Sequence, residues 1–291
     1  MHIHPESQDL HEGETLNLEV NDLLHLHNLV EESDWAVIGP TDNRVQEIDT
    51  SKFPLNTVVH LCRDFPGRPC AGCSGTLIGP DTVLTAGHCL WNLSLKRAPD
   101  TIRVSPGRTG RNSLPFGTYT AAHFWVPKGF IDGPDRAIWD FGVIKLTKPV
   151  RHTRRFAPLC ALDNKGLQDV AARRRVTIAG YPADRPFGTL WQHTERLKKA
   201  TPRRVFYSVS TCPGHSGSAV TVDRGHGPEI IAVHTTGILD AQGRSYGCTK
   251  GATLAPSNLM NSGVRLTPDI VHAIVNPQRH ATGSAAMVAL K

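Results

Sequence analysis

Apolar residues in this chain come in short runs separated by turn residues: TVVHLC, GTLIG, VTIAGY, RVFYSVS and EIIAVH. Few stretches hold a 3.6-residue period for long. Short alternating or continuous apolar runs, bounded by Gly, Pro, Asn and Asp, suit strands whose side chains project to alternate faces of a sheet. The pattern starts at Val37, runs to about Leu266 and predicts an all-β sandwich or barrel. TPDIVHAIVN, from Thr267 to Asn276, breaks it. Thr267 reads as an N-cap, Pro268 stands at the first helical position, and Asp269 lies in the first turn. A helix is therefore predicted over 267–276, with Ile270, Val271, Ile274 and Val275 as its apolar face. Residues 277–291 read as a tail. At the other end, residues 1–35 are acidic, His-rich and poor in Gly, and mix strand alternation (Leu16, Leu18, Val20) with helical spacing (Leu23, Leu26, Val30). They read as a pro-segment packed on a domain or as a frayed terminus.

Length and composition narrow the picture. A chain of 291 residues can bury one large core or two smaller ones. The net charge is +6, with basic runs RHTRRF (151–156), ARRRV (172–176) and ERLKKATPRR (195–204). No helix-turn-helix, zinc-finger spacing or aromatic RNA platform accompanies them, so they read as a solvated basic face and not as a nucleic-acid surface. No apolar run is long enough to span a membrane. Seven cysteines suit disulfides in an oxidising compartment. Cys70 and Cys73 form a C-x-x-C pair, but no second pair or matching ligand cluster follows, so neither metal nor cofactor is expected. The opening residues lack the apolar core of a signal peptide, and a secreted protein would have lost that segment from this sequence.

The chemistry concentrates at CPGHSGSAV, residues 212–220. A serine between glycines fits the nucleophile elbow of lipases and esterases, or the serine loop of chymotrypsin-like proteases. Chain order separates the two. An elbow needs its acid and then its histidine downstream, drawn from residues such as Asp240 and His272, on a sheet alternating with helices. That alternation is missing, and Ser218 stands where the elbow needs Gly. Upstream, LTAGHCL carries His88 next to Cys89, and WDFGVIKL places Asp140 at the head of an apolar strand. Cys73 lies sixteen residues before Cys89, and two strands joined at the GPD turn would bring these cysteines together and pin the histidine. A buried acid between Trp139 and Phe141 needs hydrogen bonds to offset lost hydration. The order His88, Asp140, Ser216 is that of chymotrypsin-like enzymes.

TAGHC, WDFGVIKL and GHSGSAV resemble the three catalytic blocks of trypsin-like serine proteases. VIGPTDNRVQEIDTSKFPLNTVVHL, VSPGRTG, IAGYPADRPFGTLWQH and AVHTTG are similar to the bacterial-type glutamyl endopeptidases, so that the likeness covers roughly residues 37–275. His215 before the nucleophile and an insertion around SYGCTKGATLAPSNL depart from that branch. The resemblance implies a protease domain over 36–276. It would have a double six-stranded antiparallel β-barrel, divided near 36–155 and 156–266, with the active site between the barrels. It also implies Ser216 as nucleophile, His88 as general base and acid, Asp140 as its orienting acid, and the Gly214 and Ser216 N–H groups as the oxyanion hole. Thr211, His234 and Thr235 would line the substrate pocket, with Thr211 and His234 holding a glutamate carboxylate and Thr235–Gly237 pairing with the substrate backbone. A mature chain starting near Val37 would place its α-amino group close to that pocket. Within this frame Cys212 and Cys248 pair. Cys62 and Cys70 could close a hairpin-like excursion, although Cys160 could take either of them. The expected protein is a secreted, monomeric endopeptidase made as a zymogen, acting on proteins or peptides, with no membrane or nucleic-acid partner.

Overall fold

The computed structural model describes residues 38–237, Cys248, 260–279 and 282–291. The N-terminal segment 1–35, Asp240 and most of the insertion fall outside them. Fifteen strands and a few short helices make up the described chain. They are β1 (Val45–Glu47), β2 (Val58–Phe65), β3 (Arg68–Leu77), β4 (Thr82–Thr85), β5 (Thr101–Pro106), β6 (Tyr119–Pro127) and β7 (Gly142–Leu146). After these come β8 (Val176–Gly180), β9 (Leu190–Glu195), β10 (Leu197–Ala200), β11 (Arg204–Tyr207), β12 (Ala219–Asp223), β13 (Pro228–Gly237), β14 (Asn261–Arg265) and β15 (Met287–Ala289).

Strands β2 to β7 close into a six-stranded antiparallel barrel in the order β6-β5-β2-β3-β4-β7, with β6 pairing back onto β7. The second sheet runs β1-β9-β8-β12-β13-β14-β11-β10, again antiparallel. Alternation explains the cores. Ile102 and Val104 of β5 point inward, between the outward Thr101 and Arg103, and meet Leu61, Leu84, Phe124 and Ile144. Val176 and Ile178 of β8 meet Val205, Val220, Val222 and Ile231 in the second core. Closure removes the edges that an open sheet would expose.

The chain ends are exchanged between the lobes. β1 pairs with β9 of the second sheet although it precedes the whole first barrel. Residues 277–291 are not a free tail: Met287–Ala289 pair antiparallel with Trp125–Pro127 of β6, and Leu290 donates to the Phe124 carbonyl. A helix over Asn164–Arg173 interrupts the stretch read as continuous strand. Asp163 caps it by accepting from the Gly166 N–H at 2.7 Å, and Leu167, Val170 and Ala171 form its buried stripe. The C-terminal helix spans Pro268–Val275. Its buried residues are Ile270, Ala273 and Ile274, whereas Val275 is 62% exposed, so the apolar face is turned from the one expected. Thr267 does not cap through its oxygen: its hydroxyl donates to Asp269 Oδ1.

Three disulfides form: Cys62–Cys70, Cys73–Cys89 and Cys212–Cys248. Cys160 remains a thiol, which settles the pairing that the sequence left open.

Candidate active site

His88 sits in a single 3-10 turn, Gly87–Cys89, directly after β4. The Cys73–Cys89 disulfide ties that turn to β3. A Cβ at Gly87 would press on the Phe130 ring and on Asp140 Oδ1, so the glycine lets the acid approach. Asp140 is 2% exposed and holds His88 twice. Its Oδ1 accepts from the His88 backbone N–H at 2.8 Å, and its Oδ2 lies 2.7 Å from Nδ1. A carboxylate can only accept, so Nδ1 carries the imidazole proton and Nε2 keeps its lone pair. Charge-assisted hydrogen bonds of this kind offset the burial of the acid.

Ser216 follows a tight loop, Cys212–His215, and its own loop carries two glycines in the left-handed region, Gly214 (φ +97°) and Gly217 (φ +87°). A Cβ on Gly214 would strike the Tyr181 carbonyl, and one on Gly217 would strike Thr85 Oγ1 and the Ser74 carbonyl. The loop's carbonyls are tied down. Pro213 accepts from the Ala183 N–H at 2.7 Å and His215 from the Ser218 N–H at 2.9 Å. A trans peptide directs its N–H opposite to its C=O, so the Gly214 and Ser216 N–H groups point away from those anchors.

The histidine and the serine are held by neighbouring residues of one strand. Ser74, next to Cys73, donates its hydroxyl to the Gly214 carbonyl at 2.7 Å and its backbone N–H to the Ser216 carbonyl at 2.9 Å. Tyr181 in turn donates its N–H to the Ser74 oxygen. The Cys89 sulfur lies 3.5 Å from the Ser216 carbonyl. β3 therefore holds the His88 turn through Cys73 and the serine loop through Ser74.

The residues expected to line the substrate pocket lie on the second sheet's side. Thr211 is fully buried, and its hydroxyl has no hydrogen-bond partner among the described residues. His234, on β13, is 1% exposed, with Nδ1 2.7 Å from the Tyr207 hydroxyl. Burial first, and then electrostatic coupling to His215, His88 and the Arg204 guanidinium, hold its pKa well below the usual imidazole value, so the ring is neutral. The Thr235 side chain is buried, and its hydroxyl accepts from Arg204 at 2.9 Å. Its carbonyl lies 3.4 Å from Ser216 Oγ. Beyond His234, β13 pairs with β14 along one edge, and the edge toward Ser216 has no strand partner among the described residues. The Cys248 sulfur lies 3.4 Å from the Thr211 carbonyl, placing the third disulfide against the pocket wall. The entering chain reaches the same place, where the Gly39 N–H donates to Ser210 Oγ at 3.1 Å.

The profile of the family described as Trypsin matches residues 47–255, most of the chain. The chain belongs to the trypsin family. It is a serine endopeptidase, and proteins or peptides are its substrates. The protease is 30% identical over 246 residues to a glutamyl endopeptidase of Bacillus licheniformis, spanning 83% of this chain and 68% of that one. It is 31% identical over 241 residues to a Bacillus subtilis protein named extracellular metalloprotease, spanning 82% and 68%. A solved structure of a Glu endopeptidase superposes with a TM-score of 0.66 at 24% identity, over 83% of this chain and 98% of that chain. That likeness speaks to the chymotrypsin-like fold.

Several residues of the protease that shape the site carry no local signal. Arg204 is fully buried behind the acid and donates to the Ala137 carbonyl (2.6 Å), the Thr235 hydroxyl and the Ser262 hydroxyl. Burial pushes its guanidinium down to about 10, with the negative charge of Asp140 acting against that. Ala137 belongs to the 3-10 turn Arg136–Trp139 leading into Asp140, so Arg204 joins the acid's turn to the pocket strand. Arg44, also buried, bridges Asp42 and Asp184, at 2.8 Å and 2.6 Å, and clamps the entering segment to the 181–188 loop. Burial, followed by the charge of Arg44, holds His215 down to about 3, so this residue beside Ser216 stays neutral. His272, the elbow alternative, is exposed on the C-terminal helix.

Proposed function

We propose that the protease hydrolyses peptide bonds after Glu, and less well after Asp, through an acyl-enzyme formed on Ser216. His88 takes the serine proton and returns it to the leaving amine. Asp140 keeps Nδ1 protonated and stabilises the imidazolium that forms. The Gly214 and Ser216 N–H groups receive the oxyanion, a contribution worth about 3–4 kcal/mol per donor in comparable sites. The observation that carries the specificity reading is the Thr211 hydroxyl, buried without a partner at a pocket position. A substrate carboxylate supplies the acceptor that this hydroxyl lacks, and a neutral His234, backed by Tyr207, offers a second donor.

The reading is tested by digesting a denatured protein mixture and identifying the residue before each cut by mass spectrometry. Glu should dominate, and cuts spread over unrelated residues would end the proposal. A sharper test uses the ratio of kcat/KM for Glu and Gln substrates. Thr211→Val and His234→Ala should each lower that ratio about tenfold or more, the value of one charge-assisted hydrogen bond. Thr211→Val removes a hydroxyl that has no partner in the free protein, so the fold should be unharmed. An unchanged ratio in both variants would show that neither residue reads the carboxylate.

The name of the Bacillus subtilis relative raises a metal-dependent alternative. Among the described residues one group could offer ligands, Cys73, His88 and Cys89, with donor atoms within 4.8 Å of one another. Both sulfurs are joined in a disulfide and provide no thiolate, so the donor set does not fit a zinc site. We further propose that the protease works outside the cell. Three disulfides and the extracellular relative support this, and no described helix is long and apolar enough to cross a membrane.

A further inference from the structure

His88 is held at both ends of its backbone. Asp140 takes the N–H and the ring. The carbonyl at the other end accepts from Arg63 of β2, with Nη1 at 3.1 Å. Within the Gly87–Cys89 turn the Leu90 and Trp91 N–H groups both donate to the Gly87 carbonyl, and Arg63 supplies a donor to the next carbonyl along. The same guanidinium donates through Nε to the Ala71 carbonyl at 3.0 Å and through Nη2 to the Gly72 carbonyl at 3.1 Å. Arg63 is 8% exposed, so these bonds form largely out of water, where a carbonyl left without a donor is costly.

The frame behind Arg63 is rigid. In the β2–β3 ladder Arg63 stands opposite Ala71, and Cys62 opposite Gly72. The Cys62–Cys70 disulfide ties the two strands at this level. The next two residues of β3 are Cys73, bridged to Cys89, and Ser74, bonded to the serine loop. The bridge holds Cys89 by its side chain, which leaves the His88–Cys89 peptide plane free to tilt. A bond to that peptide's own oxygen fixes the tilt. A guanidinium suits the task because its donors diverge in a fixed planar fork, whereas an ammonium is a point donor on a flexible stem.

We propose that Arg63 is a positioning residue for the hydrolysis: it sets the His88–Cys89 peptide plane against β3, and with it the direction in which the imidazole approaches Ser216. The inference rests on the reading of His88 as the general base. Arg63 acts through His88 and is not itself a catalytic residue. β3 then carries both catalytic segments, the serine loop on Ser74 and the His88 turn on Cys73 and, through Arg63, on Ala71 and Gly72. An ångström of misplacement at a catalytic group costs about a hundredfold in rate, and substrate affinity does not share that loss. The effect of losing Arg63 therefore belongs in kcat.

The test uses Arg63→Met, which keeps the apolar stem and removes all three bonds, and Arg63→Lys, which keeps the charge and loses the fork. Native and variant chains, brought to the same N-terminus, are titrated with a serine-reactive phosphonate, so that kcat is counted per competent site and any misfolded fraction drops out. Arg63→Met should lower kcat per site about 10- to 100-fold, with KM within about twofold of native, and Arg63→Lys should fall between the two. Low-field proton NMR follows the hydrogen shared by His88 Nδ1 and Asp140, which a role in stability alone would leave in place. That signal should shift or broaden in Arg63→Met. A native kcat per site with an unmoved signal, in whichever of the two variants folds, would overturn the proposal, whatever the melting temperature does. So would a loss carried by KM with kcat kept. His88→Ala measured alongside separates the two readings: if it retains turnover, His88 is not the base, and the hold of Arg63 on the turn is then judged from the NMR signal by itself.

Discussion

Ser216→Ala is expected to lower kcat by about a millionfold while leaving the fold and its melting temperature unchanged. The hydroxyl donates a long contact, 3.4 Å, to the Thr235 carbonyl, and the loop around it is fixed by bonds through Ser74, Ala183 and Ser218. His88→Ala should have nearly the same effect, and the double variant should be no worse than either, because base and nucleophile act as one unit. Asp140→Asn should cost about ten-thousandfold, since an amide in place of the carboxylate favours the wrong imidazole tautomer. Initial rates on a chromogenic peptide, set beside a thermal melt of each variant, give the comparison. Substantial turnover by pure Ser216→Ala would remove Ser216 as nucleophile.

These residues were legible because the constraints on them are local. Gly87 must be small for Asp140 to reach the His88 backbone, and Gly214 and Gly217 must be glycine for the serine loop to close, so the blocks TAGHC and GHSGSAV carry their own signature. The Cys73–Cys89 bridge was legible for a similar reason, as the two strands around the GPD turn bring its ends together. Ser74 was not. Its partner Gly214 lies 140 positions away, and a serine in a strand has no spacing that announces a cross-lobe bond. Arg204 hid in a basic run that reads as solvated surface, yet it is buried because three acceptors from distant segments converge on it. The helix Asn164–Arg173 was masked by Gly166 in its first turn and by the arginines that follow it, although its Asp163 cap was visible. β1 and β15 are three residues long, too short for alternation to show which sheet they join. The turned face of the C-terminal helix has the same origin: Ala273 is a weak apolar signal and Val275 a strong one, but packing on the core decides which is covered.

The full-length chain is expected to be a precursor, about 10- to 100-fold less active on Glu substrates than the processed form, the range of one charge-assisted interaction. His234 is neutral, and Thr211 is a neutral hydroxyl, so these two residues supply no positive charge against a bound glutamate. A free α-amino group near residue 37 would supply it. The segment that follows lies against the expected pocket: Ile38 is buried, Gly39 is bonded to Ser210 next to Thr211, and Arg44 locks the segment to Asp42 and Asp184. A chain that continues upstream of residue 37 has no free ammonium at that position. The sequence LVEESDW places Glu31 and Glu32 just before it, in a form this pocket should accept. The first cut is therefore expected after Glu32, giving a start at Ser33, and further trimming to Ala36 or Val37 would bring the amine closest to Ser210. To test this, full-length Ser216→Ala protein is incubated with a trace of active enzyme and the new N-terminus is sequenced, while rates are measured on the native chain before and after processing. A Ser33 start with a rise in rate is the expected result. If the Ser216→Ala chain stays uncut, or the untrimmed native chain is as fast as the trimmed one, residues 1–35 do not restrain the enzyme and the charge balancing a bound glutamate must come from elsewhere.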